Sequence, residues 1–326
     1  MGIKELHTFL QDALVRVEAQ IDASLRSDVL LLDVTNRRLR EHPGKMLRPM
    51  LALLIGGALG KKTPDTYRFA AAVELLHNAT LLHDDVVDGA AFRRGLPTVF
   101  SQLGAGPAVL MGDYWLVACL KLILGAEKHM QKVLELFSNT LGHLTEGELL
   151  QMEKTSRADT TQADYLRIIY GKTASLFETS ALSAAISVGA TEAQCRAAGD
   201  FARRLGTAFQ IKDDIFDYSE PSAALGKPVG IDLKEQKVTQ PLLCALETVP
   251  VQEAEAVRAK VARMADHPEW EAEVRAFVRA KDGMARAVRV MDQYIDEALS
   301  CLDVFPASAE KEYLAALARY VGDRTL

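Results

Sequence analysis

Leu81-Leu82-His83-Asp84-Asp85-Val86-Val87-Asp88-Gly89 sets three carboxylates within five residues at the end of an otherwise apolar run. The approach from about Pro64 is too long and too evenly apolar for a strand, so the stretch predicts a helix. At about 100° per residue, Asp84, Asp85 and Asp88 fall within roughly a 100° arc of that helix and point into one space. Like charges held this close raise one another's pKa unless a cation compensates them. Donors that are all carboxylate oxygen suit a hard divalent ion, Mg²⁺ above all. The pattern returns at Ile211-Lys212-Asp213-Asp214-Ile215-Phe216-Asp217, again with apolar residues at the two intervening positions. One such cluster is as readily a solvated helix end. Two copies, each embedded in apolar helix, argue for a pair of acidic sites.

Bulk properties narrow the function. The chain has 326 residues, of which 49% are hydrophobic, so a large core is within reach. A formal charge of −6 without a long basic run excludes the footprint of a nucleic-acid binder. A small anionic substrate stays compatible where a metal and local Lys or Arg outweigh the global charge. Cys119, Cys195, Cys244 and Cys301 lie far apart with no C-x-x-C spacing, which predicts neither a zinc site nor a disulfide framework. The N-terminus is amphipathic from the start and carries no signal-peptide core, and Leu6 spoils a myristoylation pattern. The longest uncharged apolar run, about Met50 to Gly60, is too short for a bilayer. The expectation is a soluble cytoplasmic protein without a transmembrane segment.

Outward from the first cluster the chain is helical in both directions. Leu6, Phe9, Leu10, Leu14, Val17, Ile21, Leu25, Val29 and Leu32 repeat at helical spacing and predict one or two packing helices over about Lys4 to Asn36. His42-Pro43-Gly44 breaks the pattern, and Lys45-Met46-Leu47-Arg48-Pro49 opens the next helix. Two cations beside a helix N-terminus make a place to receive a phosphate. His77 shares nearly the face of Asp84, seven residues on. Beyond the stop at Gly89, Arg93 and Arg94 sit in a Gly- and Pro-flanked loop and suit phosphate as bidentate forks. Helices are predicted over Ala108–Leu124, Met130–Thr155, Gln162–Val188 and Thr191–Tyr218, with no useful strand alternation. Polar breaks inside them, at Glu146-Gly147-Glu148, Gln151 and Lys172-Thr173, must be paired or must serve a ligand. Gly226-Lys227-Pro228 through Lys237 forms a basic loop after the second cluster, and amphipathic helix fills Val251 to Leu326. No linker appears, so residues 1–326 are expected to form a single all-α domain.

These motifs together resemble the trans-isoprenyl diphosphate synthases, the polyprenyl synthetase family. The resemblance rests on Gly44-Lys45-Met46-Leu47-Arg48-Pro49, His77 with Leu82-His83-Asp84-Asp85-Val86-Val87-Asp88, and Arg93-Arg94-Gly95-Leu96-Pro97-Thr98. It continues in order through Gly112-Asp113-Tyr114, Glu146-Gly147-Glu148, Lys172-Thr173-Ala174, Phe209-Gln210-Ile211, the second cluster, and Gly226-Lys227 to Asp232 and Lys237. Met46 stands where the family often has Arg, Gln236 where Gly is common, and Gln240 where Leu is common.

The resemblance implies an all-α helical bundle around a deep apolar cavity, with the two acidic clusters at its mouth, and a homodimer. It implies Mg²⁺-dependent head-to-tail condensation of isopentenyl diphosphate with an allylic diphosphate, releasing pyrophosphate. Metal ligands would be Asp84, Asp88 and Asp213, supported by Asp85, Asp214 and Asp217. Arg93, Lys172, Gln210 and Lys237, with Thr173 and Lys227 nearby, would hold the allylic diphosphate. Lys45, Arg48, His77 and Arg94 would hold isopentenyl diphosphate. Small residues at Ala79 and Thr80, where short-chain members tend to carry bulky aromatics, imply a medium- or long-chain all-trans product of the octaprenyl kind. A farnesyl or geranylgeranyl diphosphate synthase, and a non-catalytic subunit of a heteromeric synthase, are the alternatives.

Overall fold

The computed structural model describes residues 2–42, 44–93, 95–219 and 230–324. In chain order it contains α1 (Ile3–Ser24), α2 (Leu30–Glu41), α3 (Leu47–Leu59) and α4 (Pro64–Val87), then a hairpin of β1 (Phe92–Arg93) and β2 (Leu96–Pro97). There follow α5 (Val99–Leu103), α6 (Ala105–Leu124), α7 (Met130–Thr155), α8 (Gln162–Ile169), a π turn (Tyr170–Ala174), α9 (Ser175–Ser187) and α10 (Glu192–Asp217). The remainder is α11 (Ile231–Lys234), α12 (Gln240–Leu246), α13 (Val251–Ala262), α14 (Trp270–Ala280), α15 (Gly283–Cys301), a 3₁₀ turn (Leu302–Val304) and α16 (Ala309–Asp323). The fold is all-α, as the periodicity predicts.

Contacts group the chain into two compact units, each assembled from three separated segments. The first holds residues up to Ser138, Thr179–Ala198 and Val304–Leu314; the second holds Asn139–Glu178, Gly199–Asp303 and the chain from Ala315 on. The boundaries fall inside α7, α9, α10, the 3₁₀ turn and α16. That is why no linker composition marks them.

In the first unit α4 is the central element. It begins where Thr63 caps the Thr66 N–H and Pro64 occupies the first turn, and it ends at Asp88 and Gly89, the latter at φ +62°. Along it Phe69, Leu75 and Leu76 are fully buried, each worth about 2 kcal/mol over exposure. Its most extensive packing is against α6, then α3 and α1. α3 is buried nearly all round through Met50, Leu51, Leu53, Leu54 and Ile55. Among the described residues one helix, α6, is long and apolar enough to cross a membrane by length and composition. It exceeds the Met50–Gly60 run because Asp113 and Lys121 interrupt its charge-free stretches without interrupting the helix. Trp115, Ala118, Cys119 and Ile123 bury its inner face, which is how a core helix behaves.

The N-terminal expectation needs one correction. α1 buries Leu6, Leu10, Leu14, Val17 and Ile21, but of the other predicted packing positions Phe9 (38%) and Val29 (57%) are exposed, and α2 buries Thr35 and Asn36. Asn36 is wanted inside because it donates to the Leu25 carbonyl (2.9 Å) and accepts from Trp115 Nε1 (2.8 Å).

In the second unit α12 packs on α15 and α14, with α13 beside α14. The predicted helix over Gln162–Val188 runs through a π turn, and glycines account for the change of pitch. A Cβ on Gly171 would lie 2.5 Å from the His143 carbonyl oxygen, and one on Gly206 would lie 2.7 Å from the Ala174 Cα. α7 and α10 thus grip this turn at backbone distance, and a π turn is a frequent device for aiming side chains at a site. Here the side chains are Lys172 and Thr173.

Candidate active site

The first acidic cluster occupies the last turn of α4. Asp85 is buried, and its Oδ1 accepts Arg93 Nε at 2.6 Å. Burial pushes the Asp85 carboxyl up, and Arg93 opposes that. Arg93 reaches back because β1 and β2 pair Arg93 with Leu96 around Gly95 at φ +79°, while Thr98 Oγ1 donates to the Ala90 carbonyl (2.7 Å). Asp84 is half-buried and Asp88 exposed. At i, i+4 they share one strip with half-buried His77. The carboxylates of this cluster therefore divide: Asp85 turns to protein, and Asp84 and Asp88 to the strip.

Lys45 is exposed just before α3, and Arg48 is half-buried in its first turn, where the Arg48 carbonyl accepts Ser180 Oγ (2.6 Å). A pocket of about 100 Å³ beside the Arg93–Asp85 pair is lined by Arg38, His42, Glu74, Asn78 and Trp115 among others. Lys45, Arg48 and His77 are not on its wall. Arg94, grouped with them in the sequence, lies outside the described residues.

The second cluster ends α10. Asp214 is buried, accepting Tyr165 Oη (2.6 Å) and Gln210 Nε2 (3.0 Å), while Gln210 Oε1 accepts Thr173 Oγ1 (2.8 Å). Burial pushes Asp214 up to about 7 against these donors. Asp217 accepts the backbone N–H groups of Ile231 and Asp232, each at 3.0 Å, and burial raises it as well. Burial, more than mutual repulsion, is the first cause of each shift. The side chain of Asp213 stays 44% exposed, and its Oδ1 accepts Arg324 (2.7 Å), which also donates to the Phe209 carbonyl and stacks 4.0 Å over that ring.

Lys172 is held by Glu148 at 2.6 Å and Lys237 by Glu235 at 2.5 Å. Both lysines, with Gln210, Asp214, Asp232 and Tyr165, line a pocket of about 200 Å³ in this unit. Lys227 lies outside the described residues.

Among the described residues no three His, Cys, Asp or Glu side chains converge on one point. The donor chemistry nonetheless fits Mg²⁺, which keeps water and takes one or two carboxylates together with substrate phosphate oxygens. Asp84, Asp88 and Asp213 present hard oxygens at partly open positions, and lysine and arginine follow each cluster for the phosphates.

A family profile described as polyprenyl synthetase matches residues 31–279. The chain belongs to the polyprenyl synthetase family. It is 36% identical over 324 residues to an octaprenyl diphosphate synthase of Haemophilus influenzae, covering 99% of this chain and 98% of that one. The fold of this polyprenyl synthetase is similar to a crystal structure of a decaprenyl diphosphate synthase from Rhodobacter capsulatus, with TM-score 0.91, 32% identity and 99% coverage of both chains. It is also similar to a geranylgeranyl pyrophosphate synthetase from Pyrococcus horikoshii, with TM-score 0.90, 27% identity and 99% coverage of both.

The sequence assigned no role to four residues of this polyprenyl synthetase: Tyr165, Glu148, Asp232 and Arg324. Glu148 and Asp232 stood inside quoted motifs as polar residues without partners. Tyr165 and Arg324 carried no signal at all, since nothing local marks them.

Gln236 shows what a departure from the family pattern costs. Its φ is +61°, it closes α11 through bonds from its own N–H to the Leu233 carbonyl and from the Lys237 N–H to the Asp232 carbonyl, and its Nε2 donates to the Ala262 carbonyl (2.8 Å). This is the left-handed C′ position that favours glycine. A left-handed L-residue costs roughly 1–2 kcal/mol, offset by about 1 kcal/mol from the side-chain bond. Gln236→Gly should therefore change stability by less than about 1 kcal/mol, and Gln236→Val should lose about 2 kcal/mol or more. Urea unfolding of the three proteins checks the order. At Gln240, the other departure in this region, a buried amide pairs with Gln162 (2.9 Å).

Proposed function

We propose that this polyprenyl synthetase condenses isopentenyl diphosphate head-to-tail with an allylic diphosphate and releases an all-trans product of medium to long chain. The observation that carries the reading is the difference in exposure within each cluster, where Asp85 and Asp214 are buried and hydrogen-bonded while Asp84, Asp88 and Asp213 reach solvent, Asp213 beside Arg324. Asp84, Asp88 and Asp213 would hold Mg²⁺, with Asp85, Asp214 and Asp217 orienting them. Bound Mg²⁺ supplies positive charge for the departing diphosphate.

Arg93, Lys172, Gln210 and Lys237, with Thr173 and Lys227, bind the allylic diphosphate. Glu148 and Glu235 keep the two ammonium groups in place before substrate arrives. Lys45, Arg48, His77 and Arg94 bind isopentenyl diphosphate. The allylic C–O bond ionises, the isopentenyl double bond attacks the cation, and the proton is lost to the departing pyrophosphate. Positioning and charge do the catalysis, and no Ser or Cys nucleophile takes part.

Product length rests on Ala79 and Thr80, and the octaprenyl diphosphate synthase similarity favours roughly thirty to fifty carbons over a fifteen- or twenty-carbon product. Incubation with radiolabelled isopentenyl diphosphate, followed by reversed-phase separation, tests both. A chain that incorporates no label under these conditions would be a non-catalytic subunit. Removing Arg48 by Arg48→Ala should raise KM for isopentenyl diphosphate about tenfold and leave that for the primer within about twofold. The reverse ordering would swap the two sites.

α6 leaves Leu110, Val117 and Leu124, spaced seven residues apart, exposed. A face this apolar on a helix otherwise built into a core supports a homodimer, to be checked by sedimentation. Its four free cysteines, two of them buried, suit a reducing cytoplasm.

A further inference from the structure

His83 directly precedes Asp84, yet its ring turns away from the carboxylate strip and lies across α6. It fits only because residue 112 is glycine: a Cβ there would meet Nε2 at 2.3 Å and Cδ2 at 2.5 Å. Nε2 stands 3.2 Å from the Val109 carbonyl oxygen and 3.3 Å from Asp113 Oδ1. Both partners are acceptors, so Nε2 carries the proton and bridges one turn of α6. The next residue, Tyr114, donates its hydroxyl to the Arg26 carbonyl at 2.8 Å. The Gly112-Asp113-Tyr114 element, which substrate binding leaves without a task, thus supplies a seat, an acceptor and a tie to the α1–α2 connection.

The last turn of α4 needs such an anchor. Val87 and Asp88 are exposed and Gly89 leaves the helix, so packing alone holds this turn weakly. Its side-chain contacts include Asp85 with Arg93 and His83 with the Val109 carbonyl and Asp113. Residues 83 and 85 are about 200° apart around the helix, and Asp84 points midway along the arc between them. The open carboxylates are aimed by a pair of flanking anchors.

We propose that His83, seated on Gly112 with Nε2 against the Val109 carbonyl and Asp113 Oδ1, is a positioning residue that sets the rotation of the last turn of α4 and so the direction of Asp84 and Asp88. This rests on the metal-binding reading of the first cluster. Partners that orient metal ligands typically contribute ten- to a hundredfold in affinity.

Asp113 is 57% exposed on its side chain, so its replacement spares the core. Mn²⁺ binding to the full-length protein, with inorganic pyrophosphate present, is measured from the free-ion paramagnetic resonance signal, alongside kcat, KM and thermal unfolding. Asp113→Ala, His83→Ala and Gly112→Ala should each weaken Mn²⁺ binding about tenfold and lower kcat about tenfold, with KM for isopentenyl diphosphate within about twofold. Asp113→Asn, which keeps the acceptor, and His83→Gln, which keeps the reach of Nε2, should restore both to within about threefold. A packing role would move unfolding temperature alone. If Asp84→Ala abolishes Mn²⁺ binding while Asp113→Ala, folded, leaves it unchanged, only the positioning role is overturned. Asn and Gln variants as impaired as the alanines overturn it too. If Asp84→Ala itself leaves Mn²⁺ binding unchanged, the metal reading and the positioning role fall together.

Discussion

Asp84→Ala and Asp213→Ala should each lower kcat by about a thousandfold or more while leaving helix content by circular dichroism unchanged. Each removes a carboxylate that is partly open to solvent, so neither leaves a cavity in the core. In Asp213→Ala the Arg324 guanidinium retains the Phe209 carbonyl and ring as partners. EDTA should abolish the parent's activity, and excess Mg²⁺ should restore it but should not rescue either variant. Asp214→Ala would be a poorer probe, because it strands the Tyr165 hydroxyl and the Gln210 amide around a buried site, at about 1–3 kcal/mol for each donor left unpaired. Activity within about tenfold of the parent for Asp84→Ala or Asp213→Ala would end the metal assignment.

Ala79→Tyr should shorten the released product to roughly twenty carbons or fewer, because position 79 lies about 7.5 Å before Asp84 along α4. Ala79 is 2% exposed, and Leu75 and Leu76 beyond it are fully buried. Thr80, about 6 Å from Asp84, turns its hydroxyl to the His77 carbonyl (2.8 Å). A phenol ring at 79 has nowhere to go but into the space a long prenyl tail would use or into a neighbouring helix. The two outcomes separate cleanly. Filling the tail's path shortens the product at nearly unchanged unfolding temperature; overpacking a helix contact costs about 1–3 kcal/mol and leaves product length alone. The second result, or a parent that already stops at fifteen or twenty carbons, would remove Ala79 from the control of chain length.

The helix carrying the first acidic cluster was legible because its signals are local: the Thr63-Pro64 start, apolar spacing through Leu82, and the stop at Gly89. The π turn at Tyr170–Ala174 was not, because Gly147, Gly171 and Gly206 only matter once three backbones meet. Phe9 and Val29 misled in the other direction, since an apolar period does not say which face is covered. The same holds for α6.

By itself the sequence determined the all-α class, the two acidic clusters and the oxygen-only donor chemistry, because helical period, residue spacing and donor type are properties of neighbouring residues. The tertiary structure alone decided which carboxylates are buried and which reach solvent. Asp85, Asp214 and Asp213 are engaged by partners 8, 49 and 111 residues away, namely Arg93, Tyr165 and Arg324, and burial, which raises Asp85, Asp214 and Asp217, is created only when the helices pack.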